Sequence, residues 1–460
     1  MSNKHGKVMY SWAKKLFPIT RSISSPGNKR TLLFLKKKIK NLKIKSFESD
    51  KIVYGWKIPK QWHICDAHIS DNKNRKIIDF KKNNLHVLNY SQPIKKKISY
   101  NNLVKNLYFI KKQPDAIPYI TSYYSKNWGF CLSYKQFKKL KKKTFYNVLI
   151  NSKFKKGKMF YGEILIKGKT SKEILLSTNI CHPSMGNNET SGIVVTTRLA
   201  QWLENFKNRK YSYRILFIPE TIGSIAYIHK NLKQLRNNII AGFVVVCVGV
   251  KNQTSYLASK KGNTLSDLAA IYTLTKYKKK FKKYSFLDRG SDERQFCSNK
   301  VELPVCSIMS SKYGEYKEYH TSLDDLNFIS PSGLSKSYSL IRKTILTIEK
   351  NLIKNKQINL IKNNLKKDLR FKINRKEKFN KIYKNIYKFP CEPKLSNYGL
   401  KKNISFKVNY DFDRLVLNTL LLSDGKSDVL KISKILNEKI LNILKVSELL
   451  KKAKLLKCIS

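Results

Sequence analysis

Between residues 145 and 350 two kinds of apolar run alternate along the chain. "TFYNVLINS", "MFYGEILIKG", "KEILLSTNI", "YSYRILFIP", "IIAGFVVVCVG" and "LPVCSIM" are short and β-rich, the length of strands. "SGIVVTTRLAQWLENF", "IGSIAYIHKNLKQL", "NTLSDLAAIYTLTKY" and "GLSKSYSLIRKTILTIEKNL" lie between or after them and carry apolar residues at helical spacing. This alternation predicts an α/β fold with parallel strands. Ligands of such sheets gather at the carboxyl ends of strands, so the polar residues just past each strand are where chemistry is sought.

The flanks read differently. Residues 1–45 carry two helical patterns around the turn-rich "TRSISSPGN". Residues 49–139 hold short runs such as "WHICDAHISD" and "LHVLNYS", bounded by Pro, Asn and Asp, and predict an inserted β-rich domain. The main α/β domain is then expected over 1–48 and 140–350, with a Lys/Asn-rich linker over 351–404. Residues 405–460 read as three short helices, with "DGKSD" as turn and cap between the first two, a winged-helix-like module.

Charge is lopsided: 94 Lys and Arg against 30 Asp and Glu, a formal net charge of +64. Such a field attracts nucleic acid, anionic lipid or acidic glycans. Lys, Asn and Ile are over-used everywhere, as A/T-rich codons would also produce, and no single footprint stands out. The 8 Cys form no C-x-x-C pair and sit in apolar runs, which predicts free thiols in a reducing compartment. With no apolar signal segment and no run long enough to span a bilayer, a cytoplasmic protein is expected.

Four polar clusters fall at strand ends. In "STNICHPSMGNNETSG", His182 follows a strand, and Asn188 and Glu189 precede a helix; His with nearby oxygen donors suits zinc, and equally a hydrogen-bonded structural group. Glu220 in "RILFIPETIGS" fits a general base, a metal ligand or a helix cap. "FLDRGSDERQFCS" places Arg289, Asp292 and Glu293 together, as a site or as a surface ion-pair turn. In "EYHTSLDDL", His320 is followed by Asp324 and Asp325, which could orient the imidazole or bind directly. Taken together, they are the ligand types of a zinc hydrolase at successive strand ends of one sheet.

On these stretches the chain resembles the co-catalytic zinc aminopeptidases. More narrowly, "LFPITRSISSPGNKRTL", "WKIPKQWHICDAHI", "DAIPYITSYYSKNWGFCLS", "STNICHPSMGNNETSG", "KYGEYKEYHTSLDDL" and "CEPKLSNYGL" are similar to aminopeptidase-like proteins found with polysaccharide-biosynthesis genes. The resemblance implies a zinc-exopeptidase-like mixed sheet flanked by helices, an inserted β-rich domain and a winged-helix-like tail. It implies His182 as first metal ligand, Glu220 as general base or ligand, and His320 as last ligand with Asp324 or Asp325 behind it. Two departures stand out. The bridging Asp of the family's "G-x-D-D-x-x-S-G" loop is Asn188, with Glu189 beside it, and its Glu-Glu pair is Glu220-Thr221. The strand that should end in a ligand Asp ends "VVVCVGV". One zinc ion is therefore expected, with His182, His320 and one of Glu189, Asp292 or Glu293 as ligands.

The implied activity is hydrolysis of a peptide or other amide bond, with Glu220 moving the proton and Arg289 or Arg294 holding a substrate carboxylate or an oxyanion. A weaker variant, carried by the resemblance alone, is an N-deacetylase of an amino sugar. The aromatic insertion (Trp56, Trp62, Tyr123, Tyr124, Trp128) serves either as a cleft cover or as an independent core. The competing class is a non-catalytic binding or regulatory protein whose tail and charge engage nucleic acid or a partner.

Overall fold

The computed structural model describes residues 3–278, 280–353, 381–400 and 410–459. Its centre is an eight-stranded mixed sheet in the order Lys43–Glu48, Lys158–Ile166, Ser212–Ile218, Glu173–Asn179, Ile239–Val244, Val305–Met309, Ser255–Leu257, Lys282–Tyr284. The four strands at its heart, 212–218, 173–179, 239–244 and 305–309, run parallel. The strands Glu173–Asn179 and Ser212–Ile218 are buried at every residue, as expected where both faces of a parallel sheet are covered.

One face is covered by helices Lys4–Leu16, Ser191–Asn205, Leu265–Tyr277 and Pro331–Glu349, which bury Trp12, Val194, Leu274 and Ile341 on Ile174 and Phe243. The other face is covered by helix Ile222–Asn238 and by the insertion, whose Trp62 and Tyr146 join Leu175 and Ile225 in one continuous core. All four helices expected between 145 and 350 are present. Below the sheet's antiparallel edge, Arg214 is buried between Glu163 and Glu173, with its Nε 2.5 Å from Glu173 and Nη1 2.7 Å from Tyr227 Oη.

The domain boundaries shift from the expected ones. Strand Phe145–Lys155 pairs with Gln61–Ser70 and Ile94–Ser99, so the inserted sheet extends to residue 155, beyond the expected limit at 139. Its alternating burial marks a one-faced strand, unlike the all-buried strands that follow. The second helix, expected over 28–42, spans Pro26–Lys36, and the chain goes on to edge strand Lys43–Glu48. Strand Ile382–Asn385, placed in the expected linker, pairs with Asp424–Asp428 and Leu456–Cys458 in a small sheet of the C-terminal module. "DGKSD" is thus a strand as well as a cap: Asp428 Oδ1 accepts the Lys431 N–H at 2.7 Å. The expected three helices are Tyr410–Leu422, Val429–Leu436 and Ile440–Lys452. Of the expected linker, 354–380 and 401–404 lie outside the described residues. None of the eight cysteines forms a disulfide among the described residues. No helix among the described residues is long and apolar enough to cross a membrane.

Candidate active site

Strand Glu173–Asn179 ends and the chain turns through Ile180, Cys181 and His182. A wide turn over Gly186–Thr190, closed by Thr190 N–H on the Met185 carbonyl at 3.0 Å, carries Asn188 and Glu189 back beneath the imidazole. Glu189 is fully buried. Its Oε2 lies 2.9 Å from His182 Nδ1, and its Oε1 accepts the His182 backbone N–H at 3.0 Å. This fixes the ring and leaves Nε2 of His182 facing Glu220 Oε2 at 3.8 Å.

Glu220 stands two residues past the neighbouring strand. Its Oε1 accepts from Asn179 Nδ2 at 3.0 Å and Ser291 Oγ at 2.9 Å, so one oxygen is held and the other is left toward His182. The next residue, Thr221, sits at φ +63°, a costly conformation for a β-branched residue, with its N–H bound to Asp292 Oδ1 at 2.8 Å.

His320 closes the group. Its ring centroid is 5.4 Å from that of His182, and Tyr119 from the insertion packs against both imidazoles at 5.1 and 5.3 Å. The Tyr119 N–H donates to the His320 carbonyl at 2.8 Å. Nε2 of His320 is buried without a hydrogen-bond partner. His182, Glu220 and His320 line one cavity of about 260 Å³ with Tyr123, Arg294 and Lys394.

The electrostatics separate the two imidazoles. Burial, reinforced by the charge on His182, pushes His320 well below its ordinary value, so it is neutral with a free lone pair. Burial opposes charge on His182, yet its acidic surroundings hold it well above the ordinary value. Glu189 is the source of that charge, because burial pushes the neighbouring Cys181 thiol up to about 12. Burial raises Glu220 above the carboxylate range, against the pull of His182. Burial and Glu220 together push Asp292 to about 8.

The remaining expected residues lie around this centre rather than in it. Asp324 accepts the N–H groups of Asn187 and Asn188 at 2.5 and 2.9 Å and so shapes the Glu189 turn; it is not hydrogen-bonded to His320. Asp325 caps its own exposed turn through Asn327 and Phe328. Glu293 accepts from Gly290, Ser291 and Tyr313 and holds the loop that presents Ser291. Asp292 Oδ1 accepts the Thr221 N–H, while its Oδ2 is buried without a hydrogen-bond partner and does not line the cavity. Arg289 points away from the cavity: it pairs with Glu392 at 2.8 Å and donates to Asn418 Oδ1 at 2.5 Å, docking the C-terminal module. Arg294 does line the cavity, while also bound to Glu392.

Two ligands of a tetrahedral zinc stand about 3.4 Å apart when each bond is about 2.0–2.1 Å. Nε2 of His182 and Oε2 of Glu220, at 3.8 Å, are close to that, and the unpartnered Nε2 of His320 borders the same space. One ion fits. Cys181, His182 and Glu189 also bring three donor atoms within 4.8 Å of one another, but Nδ1 of His182 is already spent on Glu189, which favours the Nε2 side. At positions where the resemblance implies further carboxylates, this chain has Asn188 and Thr221.

Comparison with known proteins follows this geometry. The profile of a family described as a domain of unknown function (DUF4910) matches residues 10–351. The chain belongs to this family. A winged helix-turn-helix profile matches residues 381–458, the span that the small C-terminal sheet marks out. A Clostridium acetobutylicum relative, named as a candidate polysaccharide biosynthesis protein with aminopeptidase-like domain, is 38% identical over 433 residues, covering 94% of this chain and 92% of its own. The crystal structure of a candidate peptidase from the same organism superposes with a TM-score of 0.73 at 36% identity, over 99% of this chain and 97% of that one. The zinc aminopeptidase of Bacillus subtilis shares the fold, with a TM-score of 0.56 at 11% identity, over 75% of this chain and 94% of that one. The aminopeptidase-like α/β fold with a C-terminal winged helix is thereby shown.

Sequence reasoning did not single out Tyr119, Asn179, Ser291 or Arg21. Arg21 is fully buried and donates from Nε to the His182 carbonyl at 2.8 Å, bracing the turn from the front of the chain. Its only signal was an arginine inside an otherwise polar, small-residue loop.

Proposed function

We propose that the protein is a hydrolase of a peptide or related amide bond that uses one zinc ion. The observation that supports this most is the meeting of Nε2 of His182, the free oxygen of Glu220 and the bare Nε2 of His320 at one cavity. His182 and His320 would hold the ion, with the free oxygen of Glu220 bordering the same space. Bound there, zinc supplies a Lewis acid for the scissile carbonyl and for water. Glu189 orients His182 from behind, the carboxylate–histidine arrangement common at zinc sites. Glu220 accepts the proton from the attacking water on its free oxygen and passes it to the leaving nitrogen; its raised pKa suits both transfers. The reading is tested by incubating zinc-loaded protein with a dipeptide panel. Cleavage that disappears in Glu220→Gln supports it, and no cleavage of any member overturns it.

A second reading concerns the tail. A winged helix together with a formal charge of +64 supports contact with nucleic acid. Helix Ile440–Lys452, the later of the helix pair, exposes Leu441 (56%) and Leu449 (41%) beside its lysines, a poor complement to base edges. Any such contact is to the phosphate backbone and insensitive to sequence.

A further inference from the structure

The cavity is not built by the aminopeptidase-like domain alone. Trp56, Tyr123 and Tyr124 reach it from the insertion, and Pro393, Lys394 and Leu395 reach it from the leading segment of the winged-helix module. That segment is anchored. Glu392 is pinned between Arg289 and Arg294, its backbone carbonyl accepts Trp56 Nε1–H at 2.9 Å, and its N–H donates to Gln295 Oε1 at 3.1 Å. Lys394 Nζ therefore sits at a fixed place, 3.6 Å from the centre of the Tyr124 ring. No carboxylate lies within ion-pair distance of it among the described residues.

Charge and size then restrict what enters. Arg294, paired with Glu392, and Lys394, with no carboxylate at ion-pair distance among the described residues, both line the cavity. The aromatic wall of Trp56, Tyr123 and Tyr124 lowers the local polarity, which strengthens an ion pair made there. At about 260 Å³ the space has room for a small molecule of dipeptide size.

We propose that Lys394 is a specificity-determining residue that binds the carboxylate of a small anionic amide, a dipeptide or an N-acyl amino acid, whose scissile bond lies toward Glu220. The winged-helix module is on this account a wall of the substrate site. The inference rests on the hydrolase reading for the identity of the bond but not for the binding of the carboxylate. The test separates the two. Reduced-amide analogues of Leu-Ala, which cannot be cleaved, are titrated calorimetrically into zinc-loaded wild type, Lys394→Gln and Lys394→Arg, as the free acid and as the carboxamide. The expected result is at least tenfold tighter binding of the acid by wild type, a ratio near one in Lys394→Gln, and recovery in Lys394→Arg. Equal binding of acid and carboxamide by wild type, binding of neither, or an unchanged ratio in Lys394→Gln overturns it. Discrimination without cleavage of any dipeptide would leave Lys394 its role and remove the hydrolase reading.

Discussion

Oε2 of Glu189 lies 2.9 Å from Nδ1 of His182, and Oε1 of the same carboxylate holds the His182 backbone N–H at 3.0 Å. One buried side chain thus sets both the turn and the ring. Glu189→Gln keeps the volume and loses the charge that fixes the imidazole. Zinc affinity is expected to fall about 10–100-fold, the usual effect of losing such a partner, as measured by competition with a chromogenic chelator. An unchanged affinity would mean that Glu189 serves folding alone.

Glu220 and the two histidines are expected to separate in experiment. Glu220→Gln should retain zinc and lower turnover by about 10²–10⁴, the scale of a positioned general base. Loss of zinc in this variant would instead make Glu220 a ligand, the other role its position allows. Zinc content by mass spectrometry and turnover of the same preparation decide between them.

The strand ends at His182 and Glu220 were legible because full burial forces continuous apolar runs, and polar residues after such runs stand out; His320 instead lies in the long loop after strand Val305–Met309. The helices were legible for the same reason. The boundary at residue 139 was not, because "FYNVLINSKFK" is as β-rich as the strands of the main sheet, and only its pairing with Gln61–Ser70 shows which sheet it joins. Nor was the division of labour among the acids. Asp292, Glu293, Asp324 and Arg289 have the composition of a site, but their partners are backbone N–H groups and Glu392, which lie far away in sequence. Tyr119 was hidden among many aromatics of the insertion, and only contact with both imidazoles distinguishes it.

The Arg289–Glu392–Arg294 cluster makes docking of the C-terminal module pH-dependent. Burial alone would raise Glu392, but Arg294 and Arg289 outweigh it and hold the carboxyl below its ordinary range. Its contribution is present above the unfolded-state pKa and is lost as pH falls through the depressed folded value. Acid titration followed by tryptophan fluorescence, compared with Trp56→Phe because the Trp56 indole N–H binds the Glu392 carbonyl, should show release as pH falls below the ordinary glutamate range. Glu392→Gln should already be loosened at neutral pH, with the acid step absent.

Arg214 is buried with Glu163 and Glu173 under the sheet edge. Arg214→Met leaves the buried Glu173 without its cation and Glu163 with Lys45 alone, an expected loss of about 3–5 kcal/mol. Urea unfolding checks this, and a loss below about 1 kcal/mol would show that the carboxylates relax to solvent or to Lys45.

Duplex DNA should bind the full chain with little sequence preference and steep salt dependence, because leucines stand exposed on the later helix of the winged helix. Fluorescence anisotropy with two unrelated duplexes at two salt concentrations measures this. A strong preference for one sequence would contradict it.

Metal stoichiometry tests the central claim most directly. Elemental analysis of protein purified in the presence of zinc and then desalted should give one zinc per chain in wild type and almost none in His182→Ala or His320→Ala. Two ions per chain, no zinc in wild type, or full occupancy in both alanine variants would contradict a single ion held where His182, Glu220 and His320 meet.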